Sequence, residues 1–277
     1  MAIQDMQVLN LEEIGGALMT PKIILTSRAT GGDFKAAARA ATELGFAGID
    51  WNLDYFRIAA ASNARQLFLD AAQGTGLPSG FHGPCHDTEL GHEDPLIAST
   101  AVQYLKMYID FVRPFAPTHM TLHIGSRSIS MDEMSWDNAC SGLREVTQYG
   151  LERGVTVCLE NLKQGWMSEP ERLAELAKYS GAAITFDIGH ARGSAPLREG
   201  RMTLDTYIRP FADKIKNLHV YEIETLEGKH MEPTNLDGIG AFLKWALARG
   251  ITWWVIELDE YDAMLRVKQL LDAALGF

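Results

Sequence analysis

The sequence predicts a single (β/α)8 TIM barrel, and two observations carry the prediction. Apolar runs that read as buried strands alternate with helix-period segments, and the alternation reaches eight units in 277 residues. Four late runs also end in a group able to bind a metal: V-C-L-E-N at Glu160, T-F-D-I-G-H at Asp187, N-L-H-V-Y at His219 and W-V-I-E-L at Glu257. The steps between them, 27, 32 and 38 residues, each fit one strand, one helix and two loops. In a closed barrel such strand ends converge on one mouth.

Residues 1–21 read as a lead-in and 22–277 as the barrel domain. The first strand is K-I-I-L-T-S, Lys22 to Ser27; Gly31-Gly32-Asp33 breaks it and caps a helix to about Leu44. The second strand is Gly48 to Asn52, with Ser62 as N-cap of a helix to about Gln73. Leu77 to Gly83 is the third, followed by the loop H-G-P-C-H-D and an amphipathic helix from Pro95 to Phe115. Strands four to eight are His119–Ile124, Val155–Glu160, Ala183–Asp187, Ile215–Tyr221 and Thr252–Leu258. Helices fall at about Ser135–Arg153, Glu169–Tyr179, Leu204–Ala212, Asn235–Arg249 and Asp259–Ala274. Gly45, Gly154, Gly181 and Gly250 stand where α-to-β turns need a C-terminal cap, and no strand leads into G-x-G-x-x-G.

A formal net charge of -11 and the lack of a Lys/Arg cluster argue against nucleic acid, whose affinity comes largely from cations displacing counterions at phosphates. A small substrate is favoured. No apolar run of roughly 18 residues suggests a membrane span, and the first 20 residues lack a basic start followed by an apolar block. The expected location is the cytoplasm; a homo-oligomer is compatible with the sequence. Cys85, Cys140 and Cys158 are odd in number and far apart, against a disulfide framework or a thiolate zinc site.

A carboxylate at the edge of a buried parallel strand faces something other than core. For Glu160 and Asp187 the bland alternative is loop capping. Three carboxylates in one cleft repel unless a cation or shared protons neutralise them. His219 alone would more often be a satisfied histidine, but it lies between two other candidate ligand strands. Glu257 sits among Trp253, Trp254, Val255, Ile256 and Leu258, where an unpaired charge is costly. His190 reads equally as a second ligand, a substrate contact or a helix-entry residue. His82 and His123 end the third and fourth strands and bind substrate, hold a second metal or make local hydrogen bonds. His230, in K-H-M-E-P, reads as a lid residue, and His86, His92 and His119 as loop or strand-start residues.

From G-F-A-G-I-D to V-I-E-L the chain resembles the xylose-isomerase-like barrel superfamily of sugar isomerases, ketose 3-epimerases, inosose-type dehydratases and type IV apurinic endonucleases. Matched motif by motif, the resemblance implies a metal set of Glu160, Asp187, His219 and Glu257; from that set Glu160 and Glu257 read as catalytic by proton transfer, and His82, His123, His190 and His230 read from their positions as substrate-binding. Oxygen donors in the majority suit Mn²⁺ or Mg²⁺, with Co²⁺ or Zn²⁺ open. The implied activity is isomerisation or epimerisation of a sugar or sugar-like polyol, phosphorylated or not; a keto-polyol dehydratase shares the first proton abstraction. The endonuclease branch needs three zinc ions and an Asp-x-His loop, where this chain has G-K-H with Gly228 in the Asp position.

Overall fold

The computed structural model describes residues 19–55, 62–86, 88–125 and 130–275, so 1–18 of the expected lead-in lie outside the described residues. Eight parallel strands close into a barrel: β1 (Lys22–Thr26), β2 (Gly48–Asn52), β3 (Ser79–His82), β4 (Thr118–Leu122), β5 (Val155–Glu160), β6 (Ala183–Asp187), β7 (Ile215–Val220) and β10 (Trp253–Ile256). Between β7 and β10 an antiparallel hairpin of β8 (Ile223–Glu224) and β9 (His230–Met231) lies outside the barrel sheet. The ring closes where β1 pairs with both β2 and β10, Ile24 opposite Gly48 on one side and Val255 on the other.

The helices are α1 (Phe34–Glu43), α2 (Ser62–Gly74), α3 (Pro95–Val112), α4 (Trp136–Leu151), α5 (Pro170–Ser180), α6 (Ile188–Gly193), α7 (Ala195–Arg198), α8 (Leu204–Ile208), α9 (Gly240–Ala248) and α10 (Tyr261–Leu275). Asp33 caps α1 through its side chain, as expected. Gly181 ends α5 at φ 77°, a left-handed turn that lets the chain double back into β6. Among the differences from expectation, three shape the barrel's surroundings. β3 starts at Ser79 because Pro78 has no N–H to give the ladder. The helix expected to run to Ala212 stops at Ile208 and tightens into a 3-10 stretch, since Pro210 breaks the α pattern. The segment from Ile188 to Arg198 is helical, not loop.

Strand alternation divides the core in two. Trp51 points outward and packs on Phe68 of α2, ring centroids 5.1 Å apart. The inward residues are unusually polar: Thr121 on β4 hydrogen-bonds Thr185 on β6 at 2.7 Å, and Asn217 on β7 reaches Cys158 on β5, each across an intervening strand and therefore through the lumen. Two residues further along the same strands come His123, Asp187, His219 and Glu160. Period two places them one layer higher, at the C-terminal mouth.

Candidate metal centre and pocket

Glu160 and Asp187 are the last residues of β5 and β6, His219 lies one residue from the end of β7, and Glu257 follows β10 directly. Register locks them side by side, with Asp187 opposite His219 and His219 opposite Val255. One donor atom from each lies within 4.8 Å of the others. His219 Nδ1 is 2.8 Å from Glu160 Oε1, 2.9 Å from Glu257 Oε2 and 3.7 Å from Asp187 Oδ2. Yet these four atoms are buried and none has a hydrogen-bond partner. An unsatisfied buried polar atom costs about 1–3 kcal/mol. Four of them aimed at one point are what a divalent ion would satisfy, and three carboxylate oxygens with one imidazole nitrogen fit such an ion.

Without an ion the charges settle on one another. Burial opposes a charged His219, but Glu160 and Glu257 outweigh it and raise the imidazole well above its usual range. Burial likewise opposes ionisation of Glu160 and Glu257, and His219 overcomes it, holding both well below the ordinary carboxylate range. Asp187 goes the other way: burial, with the charges of Glu160 and Glu257 adding to it, pushes it up to about 6. An ion bound by these groups would therefore have to displace protons from His219 and, below about pH 6, from Asp187. A raised carboxyl pKa favours the ion-free fold at low pH, and that contribution fades as pH rises from the usual carboxylate value through about 6. Any thermal stabilisation that a divalent ion such as Mn²⁺ gives by binding these four groups is thus expected to grow between about pH 5 and 7. Melting curves with and without Mn²⁺ check this, and a gain flat with pH would contradict it.

Two further clusters flank the centre. His82 and His123 turn their Nε2 atoms toward each other, 3.2 Å apart, with Glu160 Oε2 at 3.4 Å and 2.6 Å respectively. On the other side His190 Nε2 is 3.4 Å from Glu224 Oε2, and His230 completes a buried trio with them. Three of these imidazoles are fixed from behind: Nδ1 of His82, His190 and His230 donates to the carbonyls of Gly83, Asn161 and Glu257, at 2.9, 3.0 and 2.8 Å. Such a bond leaves Nε2 of a neutral ring as a lone pair, the orientation common to metal-ligating histidines. Burial lowers the pKa of His190 and His230. It pulls His82 down too, but the hydrogen bond and charge of Glu160 outweigh it and raise that ring to about 9.

The structure corrects two sequence readings. His230 is no lid residue: it is buried, and its ring stacks on Tyr221 with centroids 3.9 Å apart. Gly228 has no side chain to offer, but Glu224 pairs with His230 across the β8/β9 hairpin and puts a carboxylate beside His190 and His230. His119, read as a strand-start residue, is the second residue of β4 and faces Asp50 in the lumen at 3.7 Å.

Above the centre opens a cavity of about 480 Å³, whose walls include Arg28, Asp54, His86, His123, Lys163 and Glu257. Of the four central donors only Glu257 lines it; Glu160 is wholly buried behind His82 and His123. Arg28 holds Asp259 at 2.8 Å and lies 3.4 Å from Glu257. Lys163 donates to the Thr225 carbonyl at 2.5 Å and lies 3.4 Å from Glu224, tying the hairpin to the β5 loop. Sequence reasoning missed Arg28, Lys163, Glu224, Asp54 and Cys85, although Arg28 and Asp54 each follow a strand end by two residues, where barrel sites are built.

Residues 38–273 match the sequence profile of the xylose isomerase-like TIM barrel family. The chain belongs to that family. An uncharacterized protein from Methanocaldococcus jannaschii is 26% identical over 192 residues, 69% of this chain and 78% of that protein. A crystal structure of a D-tagatose 3-epimerase-like protein superposes with a TM-score of 0.72 at 17% identity, covering 92% of this xylose isomerase-like chain and 97% of its own. Endonuclease IV from Thermus thermophilus gives 0.64 at 18% identity, covering 92% and 99%. At such identities the likeness extends to the fold alone. No helix among the described residues is long and apolar enough to cross a membrane.

Proposed function

We propose that this chain is a divalent-metal-dependent isomerase or epimerase that moves a proton next to the carbonyl of a small sugar or sugar-like polyol. One observation carries the reading: four buried donors with no hydrogen-bond partner converge under a cavity of about 480 Å³, a size suited to one small molecule. When bound there, Mn²⁺ or Mg²⁺ would polarise the carbonyl and stabilise charge that develops on its oxygen.

Glu257 is the base facing substrate, since its carboxylate reaches the cavity and its lowered pKa keeps it ionised. Glu160 is enclosed, and its contact with the cavity runs through His123, 2.6 Å from its Oε2. On this reading the second proton transfer belongs to His123 backed by Glu160, while His82, His190 and His230 orient substrate oxygens. Dehydration of a keto-polyol would begin with the same step.

Exchange of the substrate α-proton with solvent deuterium tests the reading, because isomerisation, epimerisation and dehydration all pass through it. Mn²⁺-loaded protein should catalyse that exchange on at least one ketose, keto-inositol or phosphate ester. His123→Ala should slow the exchange by about 10²-fold or more while leaving the central metal in place.

A second reading, phosphodiester hydrolysis, is favoured by the two flanking clusters. His82, His123 and Glu160, and His190, Glu224 and His230, would bring the metal count to three. Loss of one full metal equivalent on His123→Ala, together with cleavage of an abasic DNA duplex and no proton exchange, would replace the first reading by the second.

A further inference from the structure

A fourth group of donors stands apart from the buried clusters, on the rim of the cavity. Asp54 lies in the turn after β2, and Cys85 and His86 follow β3. Their donor atoms lie within 4.8 Å of one another. Cys85 Sγ is 3.0 Å from Asp54 Oδ2, His86 Nδ1 is 3.2 Å from Asp54 Oδ1, and Sγ and Nδ1 are 3.9 Å apart. Bonds of 2.0–2.3 Å to a tetrahedral ion put ligand atoms about 3.3–3.8 Å apart. Around Sγ, the separations to Oδ2 and Nδ1, 3.0 and 3.9 Å, fall on either side of that range, so an ion held by those three atoms would enter with small side-chain shifts.

The loop is also tied to Asp54 through its backbone. The backbone N–H groups of Cys85 and His86 donate to Asp54 Oδ1 at 2.8 and 3.3 Å, which orients the carboxylate. The thiol and imidazole are additional, the thiol reaching Oδ2 and the imidazole Oδ1 of the same carboxylate. Access is open, because the His86 side chain is 78% exposed. The chemistry also differs from the central set: one sulfur, one nitrogen and one carboxylate select thiophilic ions, where three carboxylates and an imidazole suit harder ones.

We propose that Asp54, Cys85 and His86 form a rim site for a thiophilic divalent cation, Zn²⁺ or Cd²⁺, separate from the oxygen-rich centre below. Binding exchanges the thiol S–H bond for a sulfur–metal bond; the proton leaves to solvent and nothing is oxidised. The fourth position stays open to water. An ion there joins the loop after β2 to the loop after β3 and narrows the cavity mouth.

Cd²⁺ titrated into the full-length Mn²⁺-loaded protein is the test, read by the thiolate-to-cadmium charge-transfer absorption. The centre contains no sulfur, and Cys140 and Cys158 are buried, so the band reports Cys85. One equivalent of Cd²⁺ should develop the band with Mn²⁺ retained. Cys85→Ser should abolish it, and His86→Ala should weaken Cd²⁺ binding by about 10-fold or more. Retained Mn²⁺ and an unchanged melting temperature show that each variant is folded; if Cys85→Ser is not, methylthio blocking of Cys85 on the folded protein should give the same loss. No band in the wild type, a band surviving the loss of Cys85, or unchanged affinity in His86→Ala would overturn the proposal.

Discussion

Glu257→Gln is expected to lower turnover by about 10²-fold or more, the usual contribution of a positioned base. Gln keeps the size of the side chain and one carbonyl oxygen but not the basic carboxylate. The effect should be large because Glu257 alone among the four central donors faces the cavity, while His219 overcomes burial and holds it ionised at neutral pH. The metal should still bind, more weakly, so saturating Mn²⁺ must not restore the rate. Steady-state kinetics at several Mn²⁺ concentrations separate the two effects. A rate restored by metal alone would make Glu257 a ligand and nothing more.

The second large effect is on stability. His219→Ala removes the imidazole that faces three buried carboxylates, leaving Glu160, Asp187 and Glu257 opposite one another. Stripping one partner from a buried charged set costs about 3–5 kcal/mol. The ion-free variant should therefore lose about that much in urea unfolding at pH 8, and less at pH 5, where the carboxylates can take protons instead. Excess Mn²⁺ should recover part of the loss through the three remaining oxygens. Equal loss at both pH values, with no recovery, would reduce His219 to packing.

The barrel and its central donors were legible in the sequence for one physical reason. Parallel strands buried on both faces read as apolar runs, so a carboxylate or histidine at the end of each stands out, and period two fixes which way it points. Glu224 was not legible. It belongs to a two-residue strand, too short for any periodicity, and only its pairing with His230 brings it to the cluster. Counting sequence positions put Gly228 there, but space is filled by whichever side chain the hairpin delivers. Helix α6 was hidden by its composition, since I-G-H-A-R-G carries two glycines. Its start is set by Asp187, whose carboxylate caps it at the His190 N–H, and Gly189 is required because a side chain there would run into the Tyr221 ring. The enclosure of Glu160 was also invisible, because it depends on two histidines from β3 and the end of β4 meeting over it.

A metal centre built from Glu160, Asp187, His219 and Glu257 should be visible by anomalous diffraction from a crystal soaked in Mn²⁺. A strong peak is expected about 2.0–2.3 Å from one atom of each of the four residues, with none between His82 and His123 at the same occupancy. Manganese found elsewhere in the cavity, with these four side chains unliganded, would contradict it.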